Sequence, residues 1–287
     1  MKKQYKFSVI MPSYNNSQFM KQALESVINQ TYKNLEIIVI NDGSESSHSE
    51  KIDKIVLSYE DDRIFYIKNK KNLSKSVSLN IGLDFSSGDY LNYHDNDDVS
   101  NLNRFEILNN FIQTFERAPS LVTSSGERFS TDVNKRWKGS YVKNNVEDTP
   151  ENIKNKIFQE NKIIGAACCW HRRVFEKIGY FDPEMLITQD YNYWMRALSL
   201  FEIEFCKENL YYFRDNPHSV RRQKNIRNMR TSSNWIRLCR DRAKNNLTIK
   251  NSSYKRDDYK IIKEAKKCLD AWSPATRDIS GQKFMKN

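Results

Sequence analysis

Three observations predict an α/β fold built on a doubly wound, mostly parallel sheet. Short β-rich runs alternate with helical periodicities across the first hundred residues. The second of these runs, Leu35-Glu36-Ile37-Ile38-Val39-Ile40, is apolar at almost every position, which suits a strand covered on both faces. Three of the runs end in polar turns, at 12–16, 41–44 and 94–98. In open α/β sheets ligands sit at the carboxyl ends of the strands, so these turns should converge on one rim.

The elements follow in order. Phe7-Ser8-Val9-Ile10-Met11 reads as a strand stopped by Pro12, which lacks the N–H a ladder needs. From Ser17, apolar residues at Phe19, Met20, Ala23, Leu24, Val27 and Ile28 have helical spacing. After the second strand, residues 48–60 read as a helix, 63–67 as a strand, 74–83 as a helix and 89–93 as a strand. Helix 102–115 and strand 120–123 come next, then a polar loop or hairpin over 126–150. Ile163 to Trp170 is small and apolar and reads as a buried strand. Arg172 to Ile178 reads as a helix stopped by Gly179. Asp190 opens an aromatic-rich helix, and 205–213 adds a strand.

With 287 residues, the chain can bury a sizeable core. Charged residues make up 29% and aromatics 12%, which excludes a disordered chain. No run approaches the length of a transmembrane helix. The basic start, Met1 to Lys6, precedes no apolar stretch of signal-peptide length, so none is expected. Five scattered cysteines without a C-x-x-C pair indicate neither a disulfide framework nor a zinc site, and fit a reducing cytosol.

The net charge of +11 is concentrated at one end. Residues 221–287 hold 19 Lys or Arg against 6 Asp or Glu, whereas 1–220 hold 28 against 30. The expected organisation is a catalytic-type α/β domain over 1–220 and a basic, mainly helical extension over 221–287. Such an extension suits an anionic partner, and an anionic membrane is preferred. A nucleic-acid module is not expected, because the extension carries no such signature.

The chemistry-bearing stretch is Gly88 to Asp98, which places Asp95, Asp97 and Asp98 within four residues. Carboxylates that close repel unless a cation, a donor or water relieves them. Oxygen ligands of this kind suit Mg²⁺ or Mn²⁺, often completed by substrate phosphates. The plain alternative is an acidic turn that caps a strand.

The ordered motifs give the chain a resemblance. They are Ser8-Val9-Ile10-Met11-Pro12-Ser13-Tyr14-Asn15, Ser26 to Tyr32, Glu36 to Ser44, Asn72 to Gly82, Gly88-Asp89-Tyr90, Asp95-Asn96-Asp97-Asp98, Gly179-Tyr180-Phe181-Asp182 and Asp190-Tyr191. From about residue 7 to 220 the chain resembles the bacterial family 2 glycosyltransferases, inverting enzymes of the GT-A fold. The resemblance implies that Pro12, Ser13, Tyr14 and Asn15 line a nucleotide pocket, with Tyr14 near the base. It implies that Asp42 bonds the base, that Asn72, Asp95 and Asn96 face the nucleotide sugar, and that Asp97 holds a divalent metal, Mn²⁺ or Mg²⁺. Asp190 would be the catalytic base. The implied activity moves a sugar, expected to be UDP-linked, onto a glycan or lipid-linked acceptor in bacterial surface polysaccharide or lipopolysaccharide synthesis. The implied location is the cytoplasm, at the inner face of the membrane.

Three departures from the family pattern stand out. Gln189 replaces the first acid of the usual acidic pair before the base. Leu73 and Leu79 occupy positions in the 72–82 segment where the family carries Gly and Arg. The family's Tyr-Arg-x-His-x-x-Ser reads here Phe213-Arg214-Asp215-Asn216-Pro217-His218-Ser219, which puts Asn216 at the His position. His218, two residues on, is the candidate that approaches the metal. The altered 72–82 segment also keeps open a nucleotide-sugar-binding protein without transferase activity.

Overall fold

A computed structural model describes residues 3–130, 132–134, 136–137, 149–216 and 233–263. One ten-stranded mixed sheet runs through it. Its first half alternates strand and helix: β1 (Phe7–Ser13), α1 (Met20–Ile28), β2 (Leu35–Asn41), α2 (Ser46–Leu57), β3 (Ile64–Asn69), α3 (Lys75–Phe85) and β4 (Tyr90–Tyr93). The second half holds β5 (Val99–Ser100), α4 (Arg104–Ile112), β6 (Leu121–Phe129), β7 (Arg136–Trp137), α5 (Pro150–Lys156), β8 (Cys169–His171), α6 (Arg172–Ile178), α7 (Gln189–Leu198) and β9 (Ile203–Arg214). Then come α8 (Ser233–Asn245) and β10 (Tyr259–Lys263). The strand order is β10-β3-β2-β1-β4-β8-β6-β9-β5, and β7 pairs with β6 off this path.

Strands β1, β2, β3 and β4 are parallel to one another where they pair. Their side chains alternate between two cores. Phe7, Val9, Met11, Ile37 and Val39 pack against α1, α2 and α4. Ile10, Ile38 and Ile40 pack on the other face against α3, α6 and α7. Both faces are therefore covered, as the apolar runs predict. In α1 the buried residues Met20, Ala23, Leu24 and Val27 recur at helical spacing.

Two expectations are corrected here. Pro12 does not stop β1, which continues to Ser13. The carbonyl of Ile10 accepts from His94 N, so Ile10 faces β4. Pro12, two residues on, faces the same side, where β4 has already ended at Tyr93, so its missing N–H costs no ladder bond. The apolar 163–170 run is mostly not a strand: Gly165–Ala167 form a 3-10 turn and only Cys169–His171 pair. Its small side chains are buried by a turn under the sheet rim rather than by a ladder.

The basic extension is not wholly helical in its described residues. It gives one helix, α8, and one strand, β10, which pairs antiparallel with β3 at the sheet edge. Helix α8 is fastened to the body. Arg242 donates to the buried carboxylate of Asp182 through Nε (2.6 Å) and Nη2 (2.9 Å). Asn192 of α7 donates to the Cys239 carbonyl at 3.3 Å. Among the described residues no helix is long and apolar enough to cross a membrane.

Candidate functional site

The turn after β4 is held from beneath by a buried polar chain. His94 is fully buried, and burial pushes its pKa down to about 3, so the ring is neutral. Its Nδ1 lies 2.8 Å from the Asp95 carbonyl, which can only accept, so Nδ1 carries the proton. Nε2 then accepts from Ser100 Oγ at 3.0 Å, and Ser100 Oγ accepts from Arg104 Nη1 at 3.0 Å. A single proton arrangement satisfies the whole chain, which fixes where the carboxylates of the turn begin.

The three acids of the turn have different surroundings. Asp98 is buried; its Oδ1 accepts from Arg214 N at 2.8 Å, and Tyr211 also bonds it. Burial, then Asp97 and Asp95, push its pKa well up, so it braces β9 rather than facing the cleft as a charge. Asp97 is partly exposed, and its Oδ2 accepts from Asn216 Nδ2 at 2.9 Å. Burial and the neighbouring Asp95 raise its pKa, against the Asn216 bond and Lys75. Asp95 is ion-paired with Lys75. Asn96 is buried and donates to Ser13 Oγ (2.7 Å) and the Asn16 carbonyl (2.9 Å), which ties this turn to the one after β1.

The turns after β1 and β2 meet as their parallel register requires, with Ser13 level with Asn41. Asn15 adopts φ +48° and spends its side chain on the neighbouring turn: Oδ1 accepts from Glu45 N at 2.9 Å and Nδ2 donates to Glu45 Oε1 at 3.3 Å. Tyr14 is 46% exposed beside it. Pro12 and Ser13 are buried at the end of β1. Asp42 is buried, and its carboxylate accepts from Asn69 Nδ2 (2.7 Å), Leu73 N (2.9 Å) and Asn72 Nδ2 (3.1 Å). Burial still dominates and pushes its pKa up to about 6. The turn needs Gly43: it has φ +66°, and a Cβ there would lie 2.1 Å from the Lys71 carbonyl carbon. Leu79 is fully buried in the core, so it takes no part at the rim.

Asp190 enters from the opposite wall. It lies in the first turn of α7, behind Thr188 at φ +57°. Its Oδ1 accepts from Tyr191 N at 2.8 Å, and its Oδ2 accepts from the Tyr93 hydroxyl at 3.4 Å. Gly165 borders both groups, and a Cβ there would lie 2.6 Å from Asp190 Oδ2.

Lys75 joins the two walls. It is the first residue of α3, ion-paired to Asp95, with its ammonium 4.8 Å from the centre of the Tyr93 ring. Burial opposes its charge, but Asp95, then Asp190 and Asp97, outweigh burial and hold its pKa above the ordinary lysine value. The carboxylates expected to hold the leaving group and the one expected to activate the acceptor thus surround one cation. Lys75 lies within the 72–82 segment and Tyr93 within the Gly88–Asp98 stretch, but neither those motifs nor the apolar run that holds Gly165 marks these three as site residues. His218 lies outside the described residues.

Residues 8–179 match the family described as Glycosyl transferase family 2. The chain belongs to that family. Asp190 lies past the end of the matched segment. An uncharacterized glycosyltransferase of Rickettsia typhi is 30% identical over 205 residues, which cover 71% of this chain and 62% of the relative. One of Haemophilus influenzae is 32% identical over 209 residues, 67% of this chain and 60% of the relative. The chain therefore spans less than two thirds of the length of these relatives. Among solved structures, S. aureus TarS 1-349 in complex with UDP-GlcNAc is similar with a TM-score of 0.58 at 17% identity, over 75% of this chain and 60% of the TarS 1-349 chain. The mannosyltransferase PcManGT from Pyrobaculum calidifontis, in complex with GDP-Man and Mn²⁺, is similar with a TM-score of 0.57 at 13% identity, over 79% and 62%. This family 2 chain has the GT-A fold of these neighbours.

Among the described residues no three His, Cys, Asp or Glu side chains group as a complete metal site. Asp95 and Asp97 nevertheless supply hard oxygen donors two residues apart in one turn, with burial and then Asp95 raising the pKa of Asp97. Two carboxylates completed by substrate phosphates are what Mg²⁺ commonly uses, so the donor set fits such an ion.

Proposed function

We propose that this chain transfers a sugar from a nucleotide-sugar donor, a UDP-sugar, to a hydroxyl of a glycan or lipid-linked acceptor, with inversion at the anomeric carbon. One observation carries this reading: Asp190 lies across Lys75 and Tyr93 from the Asp95–Asp97 turn. This supports reading one as the base for the acceptor and the other as the holder of the leaving group, linked through Tyr93 and Lys75.

In this reading Tyr14, Pro12 and Ser13 receive the nucleoside, with Asp42, steadied by Asn72, at the base. Asn96 and Asp95 hold the sugar-nucleotide end of the cleft. Asp97, kept in orientation by Asn216, and Asp95 hold the divalent metal. His218, which lies outside the described residues, is a candidate further ligand. A divalent cation held by these carboxylates would supply positive charge to offset that of the departing diphosphate. The acceptor O–H gives its proton to Asp190 as its oxygen bonds the anomeric carbon. The bond from that carbon to the phosphate oxygen breaks, and its electron pair leaves with the nucleoside diphosphate. Attack opposite the leaving group inverts the centre and requires no covalent enzyme intermediate.

The surrounding biology is proposed on the same footing. A lipid-linked or glycan acceptor suits synthesis of bacterial surface polysaccharide, at the cytoplasmic face of the membrane. The charge of residues 221–287 supports peripheral attachment there, at about 1 kcal/mol per basic residue near an anionic surface.

A panel of UDP- and GDP-sugars with Mn²⁺ tests the reading by hydrolysis or transfer. Asp190→Asn should bind UDP as the wild type does and lose turnover by roughly 10²–10⁴-fold. Near-normal turnover in that variant would remove Asp190 as the base. Tight donor binding with no turnover by the wild type would favour a non-catalytic binding protein.

A further inference from the structure

The cleft has an electrostatic difficulty. Asp95, Asp97 and Asp190 converge where, on the reading above, a diphosphate has to be received. Three carboxylates repel such a ligand. A single divalent ion balances two of the charges, and the diphosphate brings more.

One side chain is positioned to relieve this. Lys75 pairs with Asp95, lies over the Tyr93 ring, and sits in the field of Asp190 and Asp97. Its side chain is 33% exposed, so it is not sealed in the core. An ammonium has three N–H donors, and Asp95 is the one ion-pair partner among the described residues. Its place at the start of α3 adds the positive end of a helix that no side chain caps. The other cation of this wall, Arg214, is committed elsewhere. Its Nε donates to the Asp97 carbonyl at 2.7 Å, and its guanidinium lies between the Phe19 and Phe129 rings.

We propose that Lys75 binds the diphosphate of the donor, as a fixed positive charge that shares the leaving group with the divalent cation. The inference rests on the nucleotide-sugar reading and deepens it. Lysine serves such a role as a compact point charge on a flexible stem, able to keep one N–H on Asp95 while offering another to a phosphate oxygen. Asp95 then also holds the ammonium in the cleft before the donor arrives.

The test compares a ligand that has the diphosphate with one that lacks it. UDP and uridine are titrated calorimetrically, with Mn²⁺ present, into wild type, Lys75→Gln and Lys75→Arg. Loss of a charge-assisted contact should weaken UDP binding by about tenfold or more in Lys75→Gln. Uridine binding should be unchanged, which shows that the variant's pocket is intact. Lys75→Arg, which keeps the charge, should recover most of the UDP affinity. UDP affinity in Lys75→Gln equal to the wild type's, or equal losses for UDP and uridine, overturns the inference while leaving the nucleotide reading in place. Wild-type protein that binds neither ligand overturns both.

Discussion

The Tyr93 hydroxyl donates to Asp190 Oδ2 at 3.4 Å, across a gap that exists because residue 165 has no side chain. A Cβ on Gly165 would lie 1.9 Å from Tyr93 Oη and 2.6 Å from Asp190 Oδ2. The Tyr93 phenol is held neutral, since burial and then Asp190 raise its pKa well above the ordinary value. It can therefore only steady the carboxylate, by a long and weak bond.

Gly165→Ala should drive Tyr93 and Asp190 apart. A misplacement of about 1 Å at a reacting group can cost on the order of 10²-fold in rate. The variant should lose kcat to that extent while UDP affinity stays close to the wild type's. Steady-state kinetics beside calorimetry reads the split. An unchanged kcat would show that Asp190 tolerates displacement and is not the base.

Ser74 sits immediately before Lys75 at φ +87° and ψ 156°, a region that favours glycine. Its hydroxyl oxygen is buried without a hydrogen-bond partner. Ser74→Gly removes the clash of Cβ with its own backbone and the unsatisfied hydroxyl, at the cost of a more flexible unfolded chain. The expected net gain is about 1 kcal/mol, a rise in Tm of roughly 2–4 °C for a chain of this size. Differential scanning calorimetry measures it. A lower Tm would mean that the serine makes a compensating contact.

Helix α8 belongs to the basic extension, yet it steadies the wall that carries Asp190. Arg242 neutralises Asp182, which is 1% exposed, and Thr188, just before α7, lies 3.8 Å from Cys239 Sγ. Arg242→Ala should cost about 2 kcal/mol, less than a fully buried pair because Arg242 is partly exposed. That corresponds to a fall in Tm of roughly 4–8 °C. Asp182→Asn in the same chain should recover part of the loss, and strict additivity of the two changes would refute the coupling. Removing everything after residue 220 would also remove β10 and α8. Vesicle flotation should therefore use charge-neutralising substitutions rather than truncation.

The sequence made the α/β order legible because strands buried on both faces read as apolar runs, and amphipathic helices repeat at helical spacing. Asp42, Asp95, Asp97 and Asp190 were legible as candidate site residues because ordered motifs carry them. Lys75 was not, because one lysine at a helix start looks like a solvated charge until the fold brings Asp190 to it across more than a hundred residues. Gly165 was hidden inside an apolar run that reads as a strand. The edge strand β10 was hidden too: Tyr259-Lys260-Ile261-Ile262-Lys263 is short and charged, as edges often are, and lies in a basic stretch. Asn15 matched a nucleotide-pocket motif, but its side chain is engaged with Glu45.

The buried carboxyl of Asp42 gives the protein a pH signature. Its pKa is raised from 3.8 to about 6, because desolvation outweighs the bonds from Leu73 and Asn69. A carboxyl with a raised folded-state pKa binds its proton more tightly in the folded chain than in the unfolded one. Its contribution to stability is thus fully present below about pH 4 and is lost as pH rises through about 6. The loss amounts to about 3 kcal/mol, at 1.36 kcal/mol per pKa unit. Asp42→Asn cannot ionise and carries only a constant offset from its altered hydrogen bonds. The stability of the variant relative to wild type should therefore climb by about 2 kcal/mol between pH 4 and 6.5 and stay level above pH 7. Urea unfolding of both proteins across that range measures the difference. A flat difference would place the Asp42 pKa near its ordinary value and remove the desolvation argument for the nucleotide end of the cleft.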